Sequence, residues 1–250
     1  MSEPDAYCFH RTFEAAGPAA FQVDRHYLLY AESGALRLEA KGLRWTLPPA
    51  RAALIAAGEP ISITILTRVT TASVLFARHM LTEPAQAVSV FDVSPLAREL
   101  IAECRAFGAE SGPLSSYARS LFEALAAVVL RLAEKTSPLV VPVPVSAPLR
   151  RALDLTEASA SGRPTFAAIA RETGQSERAL SRRFAEETGM TWRQALCRMR
   201  MMCAVEALAG SEAPVTEIAL SVGYNSLSAF NAAFRGLVGM SPTQYRASFR

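Results

Sequence analysis

Hydrophobic and polar positions change their period twice along this chain. From about Ala20 to Met80 short runs alternate apolar and polar residues, the period-2 signature of strands with one buried face. Ala35 to Ala40 reads Ala-Leu-Arg-Leu-Glu-Ala, Leu43 to Leu47 reads Leu-Arg-Trp-Thr-Leu, and Ile61 to Leu66 reads Ile-Ser-Ile-Thr-Ile-Leu. Tyr27 to Tyr30 is a short apolar run, and Ala52 to Ala56 reads as a buried strand. Glu32-Ser33-Gly34, Lys41-Gly42, Pro48-Pro49 and Gly58-Glu59-Pro60 are turns between them. Short strands at intervals of roughly 8–12 residues predict a small barrel or jelly roll. From Ser94-Pro95 the period becomes helical, with Leu96, Leu100, Ile101, Cys104 and Phe107 on one face. Gly112-Pro113 breaks that helix. A second runs to about Lys135, with Leu114, Tyr117, Leu121, Leu125, Val128 and Leu132 as its stripe. Thr136 to Pro148 has alternating prolines and no helical period, which predicts an extended linker.

Beyond Leu149 every apolar pattern is helical, and one pattern occurs twice. Ile169-Ala170 is followed by Gly174, Leu180, Phe184 and Gly189-Met190-Thr191; Ile218-Ala219 is followed by Gly223, Phe230, Phe234 and Gly239-Met240-Ser241. The offset is 49 residues before the turn and 50 after it, so the second turn is one residue longer. Each copy predicts two short helices around a glycine turn, a helix-turn-helix. Thr165, Ser176, Thr216 and Ser226 are the expected N-caps. Thr191 starts a long helix from Trp192 to about Ala209 that joins the copies, and Ser241-Pro242 starts a final short brace. About 19 residues at 1.5 Å give the joining helix roughly 28 Å, close to one DNA turn of about 34 Å.

Ile218-Ala219, Gly223-Tyr224, Ser228, Phe230, Phe234, Gly239, Ser241-Pro242 and Tyr245-Arg246, with Arg200 and Ala204 in the joining helix, resemble the paired DNA-binding domain of the AraC/XylS family of bacterial transcription regulators. The resemblance covers roughly two-fifths of the chain. The first half is similar, more loosely, to the cupin-type sensing domain often found before that segment. The fold expected is α+β in two domains. Residues 1–135 form a cupin-like β-barrel followed by a helical hairpin, 136–148 the linker, and 149–250 an all-α domain of two helix-turn-helix units joined by a long helix.

A helix entering the major groove presents its N-terminal side chains to base edges. In the first unit Arg178, Ser181 and Arg182 share the outward face, with Ser176 at its start, and arginine is the commonest reader of guanine. The resemblance places base contacts at these positions. In the second unit the outward positions are Ser226, Leu227, Ser228, Asn231, Ala232 and Arg235. The family often has a basic residue where Ala232 stands. The first unit is therefore expected to discriminate bases and the second mainly to position the protein. Arg183 and Arg246 are candidate phosphate contacts, Arg246 equally a structural ion pair.

Charge supports this division. The formal net charge is +3, but residues 1–149 carry 13 Lys and Arg against 14 Asp and Glu, whereas residues 150–250 carry 13 against 9. Cys8, Cys104, Cys197 and Cys203 form no C-x-x-C pair, so no zinc cluster is expected. The start MSEPDAYCFH lacks the apolar core of a secretory signal, and no apolar run is long enough to span a bilayer, so a cytoplasmic protein is expected. His10, His26 and His79 are scattered, which argues against a metal-dependent cupin enzyme, the main rival reading. No metal and no cofactor are expected. A metal-free effector pocket would draw on His26, Tyr30, Arg37 and Trp45. The helical stripe before the linker can pack on its own barrel or pair with a second subunit, and the resemblance favours a homodimer. Double-stranded DNA is the expected partner, with a small-molecule effector and RNA polymerase as further candidates. A helical interaction module that does not bind DNA is the third reading.

Overall fold

The computed structural model describes residues 3–49 and 51–248. Two compact units emerge, one comprising Thr46–Ser137 with the chain up to Ala40, the other Lys41–Trp45 and Pro138–Ala247. In the first unit β1 (Ala6–Phe13), β2 (Ala16–Phe21), β3 (His26–Ser33), β4 (Leu36–Ala40), β5 (Leu43–Leu47, shared at its start with the second unit), β6 (Arg51–Ile55), β7 (Ile61–Ile65), β8 (Val69–Phe76) and β9 (Val88–Asp92) precede two helices. These are α1 (Pro95–Cys104) and α2 (Ser116–Ala133). β1, β8, β3, β6 and β9 form one antiparallel sheet in that order. β7 pairs antiparallel with both β2 and β4.

Burial explains the strand patterns. His26 to Ala31 are buried without a break, as expected where both faces of a strand are covered. Leu28 and Tyr30 of β3, Ala52 and Leu54 of β6 and Val74 and Phe76 of β8 join Ile101, Phe122, Leu125 and Val129 in one core between sheet and helices. Phe76 meets Phe122 edge-on, ring centroids 6.2 Å apart. Ser94 caps α1 by accepting from the Ala97 N–H, and Ser115 caps α2 from the Ala118 N–H.

Three strands lie outside the interval expected from alternation. β1 and most of β2 precede Ala20, and β9 follows Met80. β2 reads Ala-Gly-Pro-Ala-Ala-Phe and is exposed throughout, so it carries no strand pattern of its own; pairing with Ile61–Ile65 makes it one.

The second unit holds β10 (Val141–Pro142) and helices α3 (Ala147–Ala158), α4 (Phe166–Glu172), α5 (Glu177–Thr188), α6 (Trp192–Gly210), α7 (Val215–Ser221), α8 (Leu227–Val238) and α9 (Pro242–Ala247). The expected linker is extended but held. Val141 and Pro142 pair with Arg44 and Leu43 of β5, and the Arg198 guanidinium donates to the Val140 carbonyl at 2.6 Å. Ser146 donates through both backbone N–H and hydroxyl to Glu187, at 2.9 and 2.6 Å.

The duplication in the sequence is a duplication in structure. α4 and α7 each have seven residues at an offset of 49, and α5 and α8 each have twelve at an offset of 50. Gly174 and Gly223 take φ of +67° and +87° in the two turns, a region glycine enters without steric cost. Thr165, Ser176 and Ser226 cap as expected. Thr216 does not: the cap position falls on Pro214, ahead of Val215, with no side-chain cap. A proline at that point fixes φ near −53° and starts the helix before the threonine can turn back on it.

α6 starts with a full capping box. The Thr191 hydroxyl accepts from the Gln194 N–H, and the Gln194 side chain accepts from the Thr191 N–H at 2.8 Å. Thr191→Ala should lower the stability of this unit by about 1 kcal/mol, read from the urea midpoint of its transition; an unchanged midpoint would show the cap to be redundant.

Candidate nucleic-acid interface

α5 is amphipathic by construction. Leu180 and Phe184 are fully buried, whereas Arg178, Ser181, Arg182 and Ala185 are exposed. Phe184 packs against Phe166, which lies 5.3 Å from Trp192 in α6, and the Trp192 indole N–H donates to Thr156 at 2.9 Å. The buried side therefore locks the helix to α4, α3 and α6, leaving the arginines outward. Arg182 lies 3.8 Å from Glu186 one turn on; both are largely exposed, so the pair adds little. The Ser176 hydroxyl accepts the Ala179 N–H at 3.2 Å, a structural role at the helix start. The first turn also carries Glu177.

Ser181 and Glu177 line an open hollow with Thr165, Phe166, Thr191, Trp192 and Arg193. The starts of α4 and α6 thus flank the outward face of α5. Arg193 is exposed there, two residues after the cap of α6.

α8 repeats the geometry with different chemistry. Phe230 and Phe234 are fully buried, and Phe234 meets Tyr245 of α9 edge-on at 5.6 Å. Leu227, Ser228, Asn231, Ala232, Arg235 and Gly236 line one open hollow along the outer face. Ser228, Asn231 and Arg235 are therefore brought together, with Arg235 the single cation among them. Ser226 accepts the Ala229 N–H at 3.3 Å, as Ser176 does in the first unit.

Both candidate phosphate contacts are occupied within the protein. The Arg183 Nε donates to Gln175 at 3.0 Å, and its Nη1 lies 3.7 Å from Glu187. The Arg246 Nη2 donates to the Ala213 carbonyl, a main-chain oxygen ahead of α7, at 2.6 Å. A main-chain carbonyl leaves no mark in a sequence, so the Arg246 contact was not legible, whereas Arg183 is held by side chains, one of them Glu187 four residues on.

The four residues expected to line an effector pocket divide. Tyr30 belongs to the core between sheet and helices. His26 is wholly buried; its Nδ1 accepts the Ala57 N–H at 3.2 Å, and its Nε2 lies 3.7 Å from the Glu83 carboxylate. Arg37 is half-buried on β4. Trp45 is buried and belongs to the segment that clusters with the second unit. The other face of β3 was overlooked: the Tyr27 hydroxyl donates to Ser73 at 3.3 Å, both side chains buried.

Residues 169–248 match the family profile described as a helix-turn-helix domain. The transcriptional regulator NimR of Escherichia coli (strain K12) is 25% identical over 247 residues, 97% of this chain and 87% of that protein. The transcriptional regulator VqsM of Pseudomonas aeruginosa is 36% identical over 86 residues, which are 34% of this chain and 26% of its own length. Among solved structures, the C-terminal domain of AraT, a response regulator from Geobacillus stearothermophilus, is 34% identical, with 42% of this chain and 87% of that one covered and a TM-score of 0.40. The chain carries an AraC-type helix-turn-helix segment. It is a DNA-binding transcription regulator, with a β-sheet N-terminal region and a helical C-terminal region. None of the regulator's described helices is long and apolar enough to cross a membrane.

His26 gives the regulator a pH signature. Burial pushes its imidazole below the ordinary 6.5, outweighing the attraction of Glu83. An unfolded chain then takes the proton first, so the stability from neutral His26 is complete above about pH 6.5 and is lost as pH falls below it. The urea midpoint of the wild type should fall between about pH 7 and 5, and the fall should shrink in His26→Gln. Equal slopes in the two proteins would contradict this.

Proposed function

We propose that this regulator reads a bipartite DNA target, with α5 discriminating bases and α8 mainly holding the protein in register. The observation that carries the reading is the outward face of α5, where Arg178, Ser181 and Arg182 stand exposed over a buried Leu180 and Phe184. Arginine forks match guanine O6 and N7, and the serine hydroxyl suits a base edge or phosphate. On α8 the outward set is less basic: Ser228 and Arg235 are exposed and Asn231 half-buried, around Ala232. Asn231 suits adenine, and Arg235 suits a phosphate. Arg193, beside Ser181, is a further phosphate contact in this reading. Arg183 and Arg246, tied to Gln175 and Ala213, contribute by fixing the scaffold.

The N-terminal region is assigned to effector sensing on a cupin-like barrel and to pairing with a second copy of the chain. Leu96 and Tyr117, each 58% exposed on α1 and α2, are large apolar side chains that a partner subunit would cover. This division places the sensor before residues 136–148 and the reader after them.

Arg182→Ala tests the central assignment. Its affinity for a duplex selected by the wild type should fall by about 1–3 kcal/mol, with discrimination relaxed at one position of the site. Wild-type binding should also weaken steeply with salt. Unchanged affinity and sequence preference in Arg182→Ala would remove α5 as the base reader.

A further inference from the structure

One arginine in the middle of α6 touches both helix-turn-helix units. The Arg200 Nε donates to the Ala160 carbonyl and its Nη2 to the Gly162 carbonyl, both at 2.9 Å. These carbonyls belong to the loop that leads from α3 into α4. The face of the same guanidinium lies over the Tyr224 ring, 5.6 Å from its centroid, in the turn between α7 and α8. It also fills the space above Gly223: a Cβ there would sit 2.6 Å from Nη2. Gly174, in the matching turn of the first unit, has nothing within 4 Å of a Cβ. The two glycines share a left-handed backbone, but only the second is pressed against a side chain.

A second strap runs alongside. The Arg163 Nη2 donates to the Asn225 Oδ1 at 3.0 Å. Asn225 is the residue by which the second turn is longer. The Tyr224 N–H bonds the Ala219 carbonyl as the Gln175 N–H bonds the Ala170 carbonyl, 49 residues earlier; the Ser226 cap answers the Ser176 cap at 50. The inserted side chain is the one that reaches back to the first unit.

We propose that Arg200, with the Arg163–Asn225 pair, is a clamp that sets the separation and angle of the two reading helices and hence the half-site spacing the regulator accepts. α6 fixes how far apart its ends lie, and α3, α7, α8 and α9 pack on it, but apolar packing is non-directional and leaves the units some freedom in angle. Two donors on one loop and a cation face on the opposite turn remove that freedom, because the guanidinium is planar and its donors are fixed in direction. These are positioning residues, and the inference rests on the bipartite reading above.

The experiment uses the full chain and duplexes selected by the wild type from a random pool. Affinity is measured on both half-sites at the selected spacing, on the same half-sites moved apart or together by one and two base pairs, and on the first half-site alone. Wild type should show a sharp spacing optimum. Arg200→Ala and Gly223→Ala should keep single-half-site affinity, lose about tenfold or more on the two-site duplex as simultaneous engagement is lost, and show a flattened spacing profile. Gly174→Ala, the control with the same backbone demand, should change first-half-site binding without flattening the profile. Arg163→Ala with Asn225→Ala removes the exposed strap and tests the clamp should Arg200→Ala not fold. Variants that retain the wild-type spacing profile, or lose single-site and two-site binding in parallel, overturn the clamp and leave the bipartite reading standing. A wild type with no spacing optimum overturns both.

Discussion

The burial of α6 is the constraint on which the DNA-binding half depends. Ala195, Leu196, Met199, Met201, Met202, Ala204, Val205 and Leu208 are all buried, on more sides of the helix than a surface helix would cover. α3 packs on it from the first unit and α7, α8 and α9 from the second. α4 and α7 are two turns long, below the length at which a helix persists unaided, so packing holds them. α3 carries α4 and α5 to it, and α7 and α8 meet it directly, so both helix pairs are held on one body. Removing side chains from α6 would loosen both at once.

Much of this was legible because the signals are local. Positive φ at Gly174, Gly189, Gly223 and Gly239 demands glycine, and four glycines at matched offsets mark two turns and two helix ends. Ser176, Ser226 and Thr191 announce helix starts by a hydroxyl aimed at a backbone N–H. Buried Phe184 and Phe234 then say which side of each reading helix is inward, and so which residues face out.

Other features were not legible, for reasons that are also physical. Alternation divides a strand into two faces without saying what covers each, so Tyr30 could be read as ligand wall or as core, and it packs in the cluster with α1 and α2. β2 has no pattern because it buries nothing; it is a strand through its partner's hydrogen bonds. The proline-rich stretch looked free because prolines lack donors, yet its carbonyls still accept: Arg198 takes that of Val140. Arg200 and Arg246 likewise bond to main-chain oxygens, which any residue supplies.

The contrast between α5 and α8 lies in the side chains each presents outward. A face with two arginines one turn apart can fork onto successive guanines; a face of serine, asparagine and alanine with one arginine at its end makes fewer and weaker demands. Selection of duplexes from a random pool by the full chain, followed by sequencing, tests this most directly. The account predicts two short conserved blocks with centres about one helical turn, roughly 10 base pairs, apart, one of them guanine-containing and tightly constrained, the other tolerant. A single uninterrupted block, or two blocks at no fixed separation, would contradict it.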